Sequence, residues 1–281
     1  MTSKTKPQGK DESNEIQVMR VNRTRMQMCL LGTTPLIYHR LAQKAKRELL
    51  MPSAKKTKVE KATTLKHDPF AEYRDSVHVS HDPKSPTLLV LPSVSLKAAM
   101  SNAAIDIPGS ATRAAIGRLA YVENDFVPVW GVPKLHMCIV RMSDMARTPD
   151  VRTRACLVEW CCEVTVNFVT PLLTKDAIAN LMAGAGITQG VGDFRTQKGK
   201  GNFGNFELVE PNDPRVKALK KLGRAQQVAA MEAPEPYDGD TAELLDWFSS
   251  EAKRREFRFS EAAGGPGDYD GEGSGVLSEA V

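Results

Sequence analysis

No apolar run in this chain approaches the ~20 residues needed to span a bilayer. The opening stretch from Met1 to Gln17 is polar and lacks the apolar core and small-residue cleavage site of a secretory signal. The expected compartment is therefore the cytoplasm. Cysteine is scarce: Cys29, Cys138, Cys156, Cys161 and Cys162 are all there are. None pairs at C-x-x-C spacing and each sits in an apolar, strand-like run, so buried thiols are expected rather than a zinc site. His78 and His81 form an H-x-x-H pair, with His67 upstream, but no cysteine or well-spaced carboxylate completes a ligand set. No metal and no cofactor is expected.

Nucleotide motifs are missing as well. Gly199-Lys-Gly-Asn-Phe-Gly204 fits G-x-G-x-x-G, yet it leads into a strand, whereas the dinucleotide fingerprint must leave a strand and open a helix. A P-loop fails because glycine, not Ser or Thr, follows Gly199-Lys200. Asp193-Phe194-Arg195 lacks the partners of a kinase metal motif. Asp68, Asp75, Asp82 and Asp193 are too scattered for a metal-carboxylate nuclease centre, and the reading is a non-enzyme.

What is present is an uneven distribution of charge. The 281 residues carry 38 basic and 34 acidic side chains, a formal net charge of +4. Residues 232–281 hold 13 acidic and 4 basic residues, so residues 1–231 hold 34 basic and 21 acidic. The body is thus +13 and the tail −9. A basic body attracts polyanions, and an acidic tail competes with them.

The densest signal is Gly190-Val-Gly-Asp-Phe-Arg-Thr-Gln-Lys-Gly-Lys-Gly-Asn-Phe-Gly204, with five glycines, four charges and two aromatics. Glycines admit positive φ and close backbone approach. Arg195, Lys198 and Lys200 offer charge to phosphates, while Phe194 and Phe203 offer flat faces that suit either bases or a core. Gly190, Gly192, Gly199 and Gly201 supply the backbone freedom.

Patterning predicts a disordered N-terminus over residues 1–22 and a folded α+β domain over residues 23–212. Its elements are a strand at Met26–Leu31, a helix from Pro35 through His39, Arg40 and Lys44, and a helix from Val94 to Ala104 bearing Ser95 and Lys97. A short helix at Ala111–Leu119 carries Arg113 and Arg118. Strands follow at Lys134–Arg141 and Cys156–Phe168, then a helix capped by Thr174 and ended by Gly184 and Gly186, then a strand at Asn205–Val209. Residues 53–86 read as a long excursion outside the core. A basic helix over 213–230 and a flexible acidic tail over 231–281 complete the chain. Strand, helix, two strands, helix, strand is the ferredoxin-like, RRM-like order.

Pro92-Ser-Val-Ser-Leu-Lys-Ala-Ala99 resembles the Pro-x-Ser-Ser-Leu-Lys-Gly helix start of the repeat-associated mysterious protein superfamily, which includes backbone subunits of CRISPR effectors. The glycine-rich loop before the last strand is that superfamily's other hallmark, and Ala98 stands where its members have glycine. Gly32-Thr-Thr-Pro-Leu-Ile-Tyr-His39 and Ala185-Gly-Ile-Thr-Gln-Gly-Val-Gly-Asp-Phe-Arg195 resemble paired motifs of a group of bacteriophage and prophage proteins. The superfamily resemblance implies an RNA-binding fold whose copies stack along a guide RNA, touched by the glycine loop and the Lys97 helix, with residues 53–86 as a base-spacing thumb. It implies too that Asp68 or Asp82 would be the residue to cleave a target RNA, were cleavage present. The alternatives are a phage protein that binds or anneals single-stranded DNA, and a structural or partner-binding protein docking through Trp247 and Phe248.

Overall fold

The computed structural model describes residues 18–41, 46, 49–51, 66–141 and 148–255. Ten strands and seven helices are named below within those residues.

β1 (Asn22–Gly32) is the organising strand. Alternation along it points Met28 and Leu30 into the main core, while Cys29 and Leu31 face a smaller one with Trp130, Cys161, Val216 and Leu219. β9 (Cys161–Thr170) runs antiparallel along the full length of β1, from Asn22 opposite Thr170 to Leu31 opposite Cys161. β10 (Phe206–Val209) pairs with the other edge of β1, over Cys29–Gly32. On the far edge of β9 lie β5 (Ala120–Val122) and β6 (Phe126–Trp130), the latter continuing to β4 (Leu89–Pro92) and β3 (His78–Val79). Every pairing in this seven-stranded sheet is antiparallel.

A second sheet has the order β2 (Leu36–Ile37), β8 (Pro149–Leu157), β7 (Pro133–Arg141). Two expectations change here. Lys134–Arg141 does not join the main sheet; it forms a hairpin with β8, and β5 takes the place beside β9 instead. The apolar run at Cys156–Phe168 is broken by a bend at Val158 and Glu159, which leaves Val158 43% exposed and divides the run between the two sheets.

α1 (Pro69–Asp75) starts at the Asp68 cap, whose carboxylate accepts from Ala71 N at 3.0 Å. α2 (Ser93–Asp106) and α4 (Lys175–Thr188) pack together over the sheet, burying Leu96, Met100, Ile178 and Met182. α3 (Arg113–Leu119) follows α2. The Thr174 cap is where patterning places it, with Ala177 N at 3.1 Å. Gly184 and Gly186 do not end α4, however. A side chain at Gly184 would strike Ile107 and one at Gly186 would strike the Phe206 backbone, so these glycines serve interior packing.

Of the expected excursion, Pro69 to Val79 instead joins the core, while His81–Lys84 and Pro86 lie exposed in a turn. Tyr73 and Val77 are fully buried, and Tyr73 Oη donates to Pro133 O and Ala230 O. The thumb assignment otherwise falls on residues outside those described. The basic stretch forms two helices, α5 (Pro214–Lys220) and α6 (Arg224–Glu232). Buried Gln227 of α6 accepts from Leu88 N and Leu89 N at 2.8 and 3.0 Å and donates to Val129 O and Gly131 O at 2.9 Å. The acidic tail folds over its first part: Leu135 N donates to Glu235 O and Tyr237 N to Leu135 O along the edge of β7, after which α7 (Gly239–Arg254) packs on the hairpin.

Among the described residues no helix is long and apolar enough to cross a membrane. Four cysteines are buried and Cys138 is half-buried. Burial pushes the Cys156 and Cys161 thiols up to about 12.

Candidate nucleic-acid interface

The two sequence motifs at Gly32–His39 and Ala185–Arg195 come together as one unit. Gly32 has no room for a side chain because the Trp160 indole covers it. Trp160 Nε1 donates to Thr34 O at 2.9 Å, while Gly32 N donates to Trp160 O at 2.8 Å. Thr33 N donates to Asn205 O, and Asn205 N returns a bond to Thr34 Oγ1, each at 2.9 Å. Gly204 N reaches Pro35 O at 2.8 Å and Asp193 N reaches Ile37 O at 2.9 Å.

This ladder replaces the helix expected after Pro35. Leu36, Ile37 and Tyr38 are buried in succession, which a helical stripe would not allow. An extended segment between β8 and the loop satisfies their backbone groups on both sides.

The loop itself leaves α4 through Gly190, whose φ of 65° and N–H bond to Ala185 O at 2.9 Å form a left-handed helix stop. Gly192, at φ 81°, lies where a side chain would meet the Ile37 carbonyl. Phe194 has φ 48°, an uncommon state for a bulky residue, and the loop holds it there: Phe203 N donates to Phe194 O at 3.2 Å. A turn of 3-10 helix, Thr196–Lys198, then places Lys198, Gly199 and Lys200 at the exposed tip. Arg195 is steadied by Gln197 Oε1 at 2.8 Å and Gly192 O at 3.1 Å.

Facing the loop is the β7–β8 hairpin. His136 is directly opposite Arg154, and Cys138 opposite Arg152, so these four share a sheet face. Arg154 pairs with Asp193 in the loop. The His39 imidazole is held below its ordinary value by partial burial and then by the positive charges of Arg154, Arg152, Lys198 and Arg195. Cations of β8 and of the loop thus lie near enough to act on one imidazole. Burial likewise lowers His136, with Asp238 opposing and Arg154 reinforcing. Rings continue the face: His136 stands 6.3 Å from Phe203 and 5.1 Å, edge-on, from Tyr237.

The site expected from sequence therefore divides. His39, Gly190, Gly192, Phe194, Arg195, Lys198, Gly199, Lys200, Gly201 and Phe203 belong to the loop and its immediate surroundings. Ser95, Lys97, Arg113 and Arg118 belong to α2 and α3. Only the far end of α2 approaches the loop, where Asp106 Oδ2 accepts from Gln189 Nε2 at 2.5 Å. Nine residues separate Lys97 from Asp106, about 13 Å of helix. Arg40 points elsewhere, its Nη1 donating to Val77 O at 3.4 Å. Lys44 lies outside the described residues.

Arg152, Arg154, His136 and Tyr237 are missed by sequence reading. The Arg-x-Arg of β8 is a two-residue period and marks one strand face, but only the hairpin register sets His136 beside it. The candidate aspartates do not gather: Asp68 caps α1, Asp82 accepts from Lys84 N at 2.9 Å in a turn, and Asp193 neutralises Arg154. Among the described residues no group of three or more His, Cys, Asp or Glu side chains is arranged to hold a metal ion.

The arrangement can grip an extended anion. Exposed Lys198 and Lys200 and half-buried Arg152 and Arg195 offer charge, while Phe203, His136 and Tyr237 offer ring surface within one ring-to-ring step of each other. No model of a known protein family matches this sequence, and no curated protein matches it at a significant level.

Proposed function

We propose that this protein binds a single strand of RNA along the surface shared by its glycine loop and the β7–β8 hairpin, and that copies of it coat a small, guide-like RNA. The observation that carries the reading is the convergence of His39, Arg152, Arg195 and Lys198 beside a file of rings, from three separate parts of the chain. Charge of one sign next to stackable faces is the chemistry of single-strand binding without strong base readout.

Strand order supports a ferredoxin-like core of the repeat-associated mysterious protein type. Through β1, α2, β5, β9, α4 and β10 the chain runs strand, helix, two strands, helix, strand, with the spatial order β10-β1-β9-β5. The glycine loop then stands before the last strand, as in that superfamily. The choice of RNA over DNA, the phage or prophage origin and the non-catalytic role rest on the motif resemblances.

Purified protein, expressed in a bacterial host and isolated at low salt, is expected to carry short nucleic acid that ribonuclease removes and deoxyribonuclease does not. Fragments of regular length would accompany a coat of stacked copies. Deoxyribonuclease-sensitive material would replace RNA with single-stranded DNA. Protein that carries no nucleic acid and binds neither strand in a titration would overturn the reading and leave a structural role.

A further inference from the structure

Trp247, expected from sequence as a docking residue, stands 64% exposed on α7 at the lip of a cavity. Leu244, Phe248 and Ala252 of the same helix wall that cavity against Met137 of β7 and Val151 of β8. Their spacing of three and four residues sets them on one face of α7. The cavity measures ≈ 270 Å³ and its walls are mainly apolar, with far more room than the roughly 10–15 Å³ a single water needs. The other two tryptophans, Trp130 and Trp160, are buried. A large ring left in water beside an apolar hollow marks a contact surface.

Arg255, the last of the described residues, stands on the rim with Lys66 and Glu251. Immediately beyond it come Glu256, Phe257, Arg258 and Phe259. Two rings flanked by charges of both signs match an apolar hollow whose rim also carries both signs. Exposed ion pairs add little affinity and mainly set orientation, so the rings would carry the binding. The segment is poorly placed to enter its own cavity. α7 ends at Arg254 with Arg255 as its cap, and a chain that doubles back there needs a left-handed residue next, usually glycine and sometimes asparagine. That position is Glu256, and neither residue type occurs after it until Gly264.

We infer that Phe257 and Phe259 of one copy seat in the α7 cavity of a second copy, and that two copies exchange these segments reciprocally about a two-fold axis. Donor segment and receiving cavity meet at the same residue, Arg255, so two copies set mouth to mouth complete both exchanges at once. Once the first segment is seated, the second binds as if within one molecule. The pairing also covers both Trp247 rings. It needs no RNA, and it goes beyond the reading proposed above without depending on it.

The test uses the full chain, stripped of nucleic acid at high salt and then sedimented over a range of concentrations. A reversible monomer–dimer equilibrium is expected. Tryptophan emission should move to shorter wavelength as the dimer forms, a change that reports Trp247 because Trp130 and Trp160 are already buried. Phe257→Ala with Phe259→Ala should weaken the dimer at least about tenfold, the effect of one buried ring. Both positions lie beyond α7, so the dilute monomer should keep its melting temperature. Phe257→p-benzoylphenylalanine, photolysed in a mixture of isotopically light and heavy chains, should cross-link to Met137, Val151 or Leu244 and yield products that join a light chain to a heavy one. A chain that stays monomeric up to its solubility limit, a dimer of unchanged affinity in the double variant, or cross-links confined to single chains would overturn the inference. Every readout is free of RNA, so failure here leaves the RNA reading standing.

Discussion

Arg154 of β8 and Asp193 of the glycine loop form an ion pair that ties the smaller sheet to the segment joining α4 and β10. The guanidinium is 9% exposed and the carboxylate 18%. Removing one charge leaves the other buried without compensation. Asp193→Asn should therefore destabilise the fold by about 3 kcal/mol. The double variant Arg154→Met, Asp193→Asn should recover much of that loss, because no orphaned charge remains. Urea unfolding of these two variants together with Arg154→Met alone checks this as a double-mutant cycle.

Stability and affinity should respond to acid in opposite directions. His39, His78 and His136 are all held below the ordinary histidine value, each first by burial. A histidine depressed in the folded state binds fewer protons folded than unfolded. Stability is thus complete above the unfolded value of ~6.5 and falls as pH drops below it. A bound phosphate would reverse the cationic repulsion on His39 and favour its charged form, so RNA affinity should rise between pH 7 and 5.5. His39→Gln should remove that rise, measured by fluorescence anisotropy, and an unchanged pH response would place His39 outside the binding path.

Loop charges should act through phosphates. Changing Arg152, Arg195 and Lys198 to Gln should weaken binding for all sequences alike and shallow the dependence of log affinity on log salt by about 0.7 per lost contact. A variant that loses affinity for one sequence only would point to base recognition instead.

Gln227 should be a large stability determinant although it sits beyond the expected domain boundary. Its amide satisfies four backbone groups of β4, β6 and the turns beside them. Gln227→Leu strands those groups in the core and should cost about 3 kcal/mol or more, given 1–3 kcal/mol for a single unsatisfied buried group. Thermal unfolding would reveal it.

The two parts of the acidic tail should differ under truncation. Cutting after Glu232 removes the chain that bonds Leu135 and packs on Met137, where Met137 N donates to Thr241 Oγ1 at 3.3 Å, so the hairpin should lose stability. Cutting after Arg255 removes six acidic residues and one basic residue. That protein should keep its melting temperature and bind RNA more tightly at low salt. The gain should fade as the Debye length shortens from ~10 Å at 0.1 M to ~3 Å at 1 M.

Sequence by itself determined the features that depend on near neighbours. The Thr174 cap, the small-residue helix from Ser93, the α3 helix, the long strand ending at Gly32 and the glycine loop are legible because capping, periodicity and turn chemistry act within a few residues. The loop's cations were legible for the same reason. Tertiary structure decided the rest. Leu36–Tyr38 became extended because β8 and the loop compete for its backbone groups, a competition with residues more than a hundred positions away. Tyr73 and Val77 drew the segment from Pro69 to Val79 into the core because their two buried side chains outweigh the charges beside them, which need only remain at the surface. The cationic cluster is likewise a product of register: Arg152 and Arg154 come near His136, His39 and Lys198 only when the hairpin pairs and the loop folds against it, and long-range pairing leaves no local signature in the chain.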